Sequence, residues 1–249
     1  ERLFGEQVSA LWELLGAWDA EFADITVEGS FGSEGLYARE EQLDLKTREL
    51  CTNAILASLG KPEELNIHLL GAFNLGWTFE EIREVFILSC IPAGWPASLD
   101  SIRYLYEWCE AAGIPAAPPS ELREGYAERT PEEWYAIGYD KGTELYGKET
   151  WEKYLDDFSL VDPGLAEFTV ENIYGKLLTR TTLDDRTREL CFVAAFGALR
   201  DKQNLKLHIR GALNSGATST EVRETLFHVS LYAGQDAASQ AIAVYKEMS

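Results

Sequence analysis

Two glutamate–histidine spacings carry the chemistry that this sequence offers. His68 follows Glu49 by nineteen residues, and His208 follows Glu189 by nineteen. An imidazole near pH 7 can donate or accept a proton, and a carboxylate beside it orients its tautomer and raises its basicity. A pair of antiparallel helices could bring each glutamate to its histidine, so His208, Glu189, His68 and Glu49 are the candidate catalytic residues. Arg188 and Arg48 adjoin the glutamates, about 100° away around a helix. There they could bind an anionic substrate, or pair with an acid such as Asp44 one turn back. A third histidine, His228, is followed one turn later by Tyr232, and a phenol there could hydrogen-bond an oxyanion. These four complete the candidate site as substrate-binding residues. The bland alternative for each histidine is a satisfied core side chain, because the helix faces that carry them are otherwise apolar. No HxxxH or HExxH spacing occurs, the cysteines do not cluster, and no glycine-rich loop follows a strand. Neither a metal nor a cofactor is expected.

The elements that must position these residues occur twice. LDLKTRELC, Leu43 to Cys51, returns 140 residues later as LDDRTRELC, Leu183 to Cys191. Sliding residues 43–107 onto 183–247 needs no gap, and 24 of the 65 pairs are identical. Chance at ordinary composition gives about four. This is a tandem duplication.

Each copy reads as helices. Asp44 and Asp184 are placed to cap the first one. Apolar residues then recur three and four apart, as Leu50, Ala54, Ile55 and Leu59 do and as Leu190, Ala194 and Leu199 do. Gly76 and Gly216 follow the next helix as left-handed stops, with Asn74 and Asn214 read as helix-end caps. Thr78 with Glu81, and Thr218 with Glu221, spell capping boxes for a third helix. A break at Gly94–Pro96 then precedes a fourth helix in the first copy. The stretch AAGIPAAPPS, residues 111–120, turns or links the chain. Pro131 suits the first turn of another helix. No alternating strand is visible. The expected class is all-α, with units at 1–114 and 115–249, or with the two copies interlocked into one body.

Composition narrows the partners. Asp and Glu number 42 against 22 Lys and Arg, a formal charge of −20, which disfavours nucleic acid and anionic membrane. No apolar run reaches membrane-spanning length. Cys51, Cys90, Cys109 and Cys191 form no CxxC, and a cytoplasmic location is expected.

The segment from TRELC through LGKPEELNIHLLGAFNLGWTFEEIREVFILSCIPAGWPAS resembles the carboxymuconolactone decarboxylase family. So does YGKLLTRTTLDDRTREL followed by LKLHIRGALNSGATSTEVRETLFHVSLYAGQDAA. The combination of Leu-Asp-x-x-Thr-Arg-Glu, His-x-x-Gly-Ala-x-Asn-x-Gly, Glu-x-Arg-Glu and Ala-Gly is specific where no single piece is. The resemblance implies an all-helical fold and a homo-oligomer, with a trimer favoured for a two-copy chain. It implies a cofactor-independent lyase that removes CO2 from a small carboxylated lactone of the 4-carboxymuconolactone type. An isomerase or related lyase on another small acid, and a non-catalytic scaffold, are the alternatives. A related branch uses a CxxC between the glutamate and the histidine. Those positions here are Lys61 and Glu64, and Asp201 and Asn204, so thiol exchange has no nucleophile. His228 and Tyr232 have Leu88 and Pro92 as twins, and the first copy lacks the YGKLLTR approach. The first copy therefore reads as a drifted scaffold, and the working pocket is expected mainly in the second.

Overall fold

The computed structural model describes residues 3–4 and 7–248, all-helical with no strand among them. Helices α1 (Gln7–Trp18) and α2 (Ala20–Phe31) lead into a 3-10 turn at Leu36–Ala38. The first copy follows as α3 (Leu45–Ser58), α4 (Pro62–Asn74), α5 (Phe79–Leu88) and α6 (Cys90–Ala112). After the proline-rich link come α7 (Pro131–Tyr146), α8 (Lys148–Ser159), α9 (Pro163–Phe168) and a π-helical segment at Thr169–Leu177. The second copy is α10 (Asp185–Leu199), α11 (Lys202–Asn214) and α12 (Ser219–Met248).

Local chemistry sets the boundaries. Asp44 accepts from the Thr47 amide and Asp184 from the Thr187 amide, each at 2.8 Å. Thr78 and Glu81 close a reciprocal capping box at the start of α5, and Thr218 and Glu221 exchange the same bonds ahead of α12. Gly76 and Gly216 take φ of 81° and 96°, a region that a side chain disfavours. The break anticipated at Gly94–Pro96 is present: Gly94 (φ 83°, ψ 166°) leaves helical geometry, as its twin Gly234 (φ 86°, ψ 166°) does, and two helices meet across a kink within the ranges of α6 and α12.

At the centre α3 packs on α10. From Thr47 to Ser58 every residue of α3 is buried, and so is every residue of α10 from Thr187 to Ala198. The twin thiols Cys51 and Cys191 touch there, and burial adds to that contact in raising the Cys191 thiol well above its ordinary value. Leu50, Ile55 and Leu190 are wholly enclosed, each contributing roughly 1.5–3 kcal/mol. One apolar core runs through both copies, from Leu43 to Val244. The last helix of each copy crosses over within it: α12 packs on α3 as well as α10, and α6 reaches α10. A helix enclosed on all sides is ordinarily apolar throughout. Here α3 buries Arg48, Glu49, Thr52 and Asn53, and those residues build the site.

Candidate active site

α3 and α4 form an antiparallel hairpin that sets Glu49 against His68, with Nδ1 to Oε1 at 2.8 Å. Both groups are buried. Asn53 straps the hairpin, its amide nitrogen reaching the carbonyls of Glu49 at 2.9 Å and His68 at 3.3 Å. Gly71 lies one turn after His68, and a Cβ there would stand 2.8 Å from Glu49 Oε1 and 2.7 Å from the Phe4 ring. The bare backbone is what admits the carboxylate. Gly71→Ala is therefore expected to displace Glu49 from His68 and to cost about 1–3 kcal/mol as an overpacked core. Urea unfolding would measure the loss, and an unchanged midpoint would show that the site relaxes without strain.

The second copy repeats the pair. His208 Nδ1 is 2.8 Å from Glu189 Oε2, again beside a glycine, Gly211, whose Cβ would collide with the carboxylate.

What surrounds the pairs differs sharply. Across from α3, α12 adds two rungs one turn apart. Arg48 Nη2 meets Glu224 Oε1 at 3.0 Å, and Thr52 Oγ1 meets His228 Nε2 at 2.7 Å. Arg39 grips the same Glu224 carboxylate with Nε and Nη2, at 2.8 and 2.9 Å. The next turn of α12 brings Tyr232, whose hydroxyl is 2.5 Å from that of Tyr37 and whose ring packs edge-on to His68 at 5.1 Å. Tyr37 also reaches Thr52 Oγ1 at 3.0 Å and Glu49 Oε2 at 3.3 Å. The result is a buried polar cluster of two imidazoles, two phenols, a carboxylate and a threonine, with Tyr232 its half-exposed member. Burial, then the neighbouring Arg48 guanidinium and His68 imidazole, hold His228 well below the usual imidazole range, so it is neutral. Burial, then the Glu49 charge, raises both phenols, Tyr37 and Tyr232, and both keep their protons.

Around Glu189 and His208 the same positions are apolar. Phe192 replaces Thr52, Leu88 replaces His228 and Pro92 replaces Tyr232. The His208 ring stacks on Phe196 at 4.8 Å, tilts against Phe192 at 4.7 Å, and has the Tyr146 hydroxyl 3.4 Å from Nδ1. Glu189 Oε1 is buried with no partner among the described residues. A void of about 10 Å³ beside Arg188, Phe192 and Pro92 holds at most one water.

Several sequence readings are thereby corrected. His228 and Tyr232 complete the first copy's cluster, not the second's, because α12 crosses onto α3. Arg48 is engaged by Glu224 and the Arg39 carbonyl, while Arg188 turns to Asp185 and the Arg180 carbonyl. Asn74 and Asn214 do not cap their own helices. Their amides hold the carbonyls of Leu3 at 2.9 Å and Leu145 at 2.8 Å. The rings that follow, Phe4 and Tyr146, sit on His68 and His208 at 5.3 and 5.7 Å. The signal was present as LFG at 3–5 against LYG at 145–147. The first copy does have an approach segment. Phe31 meets Phe4 edge-on as Tyr174 meets Tyr146, so FGSEGLYAR stands where YGKLLTR does. Tyr37, Thr52 and Glu224 were missed for their roles altogether. Among the described residues no group of three or more His, Cys, Asp or Glu is placed to hold a metal ion. None of the described helices is long and apolar enough to cross a membrane.

The fold and the paired Glu–His hairpins define a two-copy helical protein of one family. The carboxymuconolactone decarboxylase family profile matches residues 31–107 and 163–247, and the chain belongs to that family. It is 29% identical over 117 residues to the 4-carboxymuconolactone decarboxylase of Acinetobacter baylyi, covering 47% of this chain and 87% of that protein. It is 28% identical over 123 residues to a nitrosuccinic acid decarboxylase of Metarhizium robertsii, covering 47% and 85%. The 1.70 Å crystal structure designated a gamma-carboxymuconolactone decarboxylase subunit, from Burkholderia xenovorans LB400, superposes with a TM-score of 0.56 at 25% identity. That match covers 95% of this chain and 90% of the other.

Proposed function

We propose that the chain is a cofactor-independent decarboxylase of a small carboxylated lactone or a similar acid, working through the Glu49–His68 cluster. The observation that carries this reading is the convergence of His228 and Tyr232, from the second copy, on the buried Glu49–His68 pair of the first. Decarboxylation breaks the bond to the carboxylate carbon and leaves the electron pair on the substrate, where it delocalises onto an oxygen, and a proton must then reach carbon. With Nδ1–H held by Glu49, His68 delivers that proton from Nε2 as an imidazolium, which takes a replacement proton from solvent between turnovers. Tyr232 is the half-buried member of the cluster, so a substrate would reach His68 past its ring. The departing group loses its charge as CO2, so an enclosed setting favours the step over water. Arg48 is held by Glu224 and so is not free to grip the substrate carboxylate.

The two named relatives act on different acids. In each substrate the carboxylate can leave a carbanion spread onto oxygen, through a lactone carbonyl or a nitro group. Purified, metal-stripped protein is expected to release CO2 from 4-carboxymuconolactone or from nitrosuccinate. Release from neither above the buffer rate would remove both substrates from the proposal. The packing around His208 favours a structural role for the second pair, which would give one working site per chain.

A further inference from the structure

We propose that Tyr37 is a positioning residue that joins the Glu49–His68 pair to the Thr52–His228 pair, so that the two imidazoles respond as one unit. The inference rests on the reading that this cluster is the working site.

Twelve residues separate Phe31 from Asp44, whereas nine separate the corresponding Tyr174 and Asp184. The three additional residues fall in the approach segment, where the 3-10 turn at Leu36–Ala38 turns Tyr37 inward to 5% exposure. Two residues before Arg180, as Tyr37 is two before Arg39, the second copy has Leu178, which is buried and carries no hydroxyl. The Tyr37 hydroxyl has three neighbours, Glu49 Oε2, Thr52 Oγ1 and the Tyr232 hydroxyl, at 3.3, 3.0 and 2.5 Å. A phenol has one proton to give and two lone pairs to accept with. A carboxylate can only accept, so Tyr37 donates to Glu49 and accepts from Thr52 and Tyr232. Thr52 shares its proton between Tyr37 and the Arg48 carbonyl, 3.2 Å away, and must accept from His228 Nε2. The hydrogen bonds then run in one direction, from His228 through Thr52 and Tyr37 to Glu49, which His68 meets from the other side. This order leaves Nδ1 of His228 as a buried acceptor with no partner among the described residues.

The second copy shows what the pair lacks without such a residue. Glu189 has His208 on one oxygen and nothing among the described residues on the other. Phe192 and Leu88, the twins of Thr52 and His228, carry no hydrogen-bonding side-chain group. Tyr37 thus fixes the plane of Glu49, and through it the His68 ring, while tying both to the state of His228.

Tyr37→Phe keeps the ring and removes all three bonds. With the full chain folded by circular dichroism, kcat is expected to fall about tenfold to a hundredfold while KM stays within about threefold. Imidazole ¹⁵N resonances are the second readout, assigned among the chain's three histidines. Those of His68 and His228 are both expected to shift, and those of His208 to stay in place. Thr52→Val cuts the same chain of bonds one link further on, and is expected to move His228 and, to a smaller extent, His68. The proposal is overturned if Tyr37→Phe leaves kcat unchanged in an active enzyme. It is equally overturned if either His68 or His228 ignores that substitution, or if His68 ignores Thr52→Val. Should the wild-type chain decarboxylate neither acid, the spectra alone decide the positioning role, and its failure is distinguishable from that of the functional reading.

Discussion

His68→Gln is expected to lower kcat by about 10²–10⁴, the usual contribution of a positioned general acid, whereas His208→Gln leaves kcat within a few-fold of wild type. Glutamine is chosen because its amide can still donate to the neighbouring carboxylate, so neither glutamate is stranded. The two histidines have the same partner distance, 2.8 Å, and both are buried. Bond length to glutamate therefore cannot explain a difference between them. What differs is the far side of each ring. His68 faces Tyr232 and the bonded network of Tyr37, Thr52 and His228, a polar surround whose edge at Tyr232 is half-buried. His208 faces Phe192 and Phe196, and a ligand would have to displace packed rings. The check is steady-state kinetics on whichever acid releases CO2. Equal losses in the two variants would show two working sites and sink the single-site reading.

Glu224→Ala is expected to destabilise the fold by about 3–5 kcal/mol, because it leaves a buried guanidinium without its counter-charge. Arg48 is fully enclosed, and its Nη2 reaches Glu224 at 3.0 Å. Two further nitrogens of that side chain, Nε and Nη1, have no partner among the described residues. Loss of Glu224 would leave Arg48 with carbonyl acceptors only. The twin acid in the first copy supplies the control. Glu84, the twin of Glu224, pairs with Arg180, whose side chain is 25% exposed and can hydrate when its acid is removed. Glu84→Ala should therefore cost less, about 1–3 kcal/mol. Against a typical total of about 5–15 kcal/mol, the first variant is close to the threshold of folding, and urea midpoints would rank the two. The reverse ranking would mean that Arg48 finds water or another acid, and that the enclosed ion pair is not a principal tie between α3 and α12.

Much of the helical frame is legible in the residues because its signals are local. Asp44, Thr78 and their twins act within three positions, and Gly76 and Gly216 act on their own backbone. The family is legible because several short phrases recur at fixed spacing. The partnership of α12 with α3 is not, since Thr52 and His228 lie 176 residues apart. A gap-free match between copies reveals which residues are twins. It is silent on whether a third helix packs against its own unit or the other, and so His228 and Tyr232 were assigned to the wrong histidine. Tyr37 escaped notice for a different reason. It stands in the one stretch where the two approaches differ in length, outside the gap-free register. Leu3 and Phe4 were likewise too short a match to register until Asn74 and Asn214 were seen to hold equivalent carbonyls.

The crossing of α12 onto α3 has a consequence for what covalent linkage permits. Two identical chains related by a twofold axis must carry every residue on both sides, so a histidine introduced opposite one threonine appears opposite the other as well. Joined end to end, the halves are released from that obligation. Leu88 and His228 occupy matching places, as do Pro92 and Tyr232, and each can be altered without its mirror image following. The lopsided chemistry of this molecule is an arrangement that a symmetric pair of like subunits has no means of writing down.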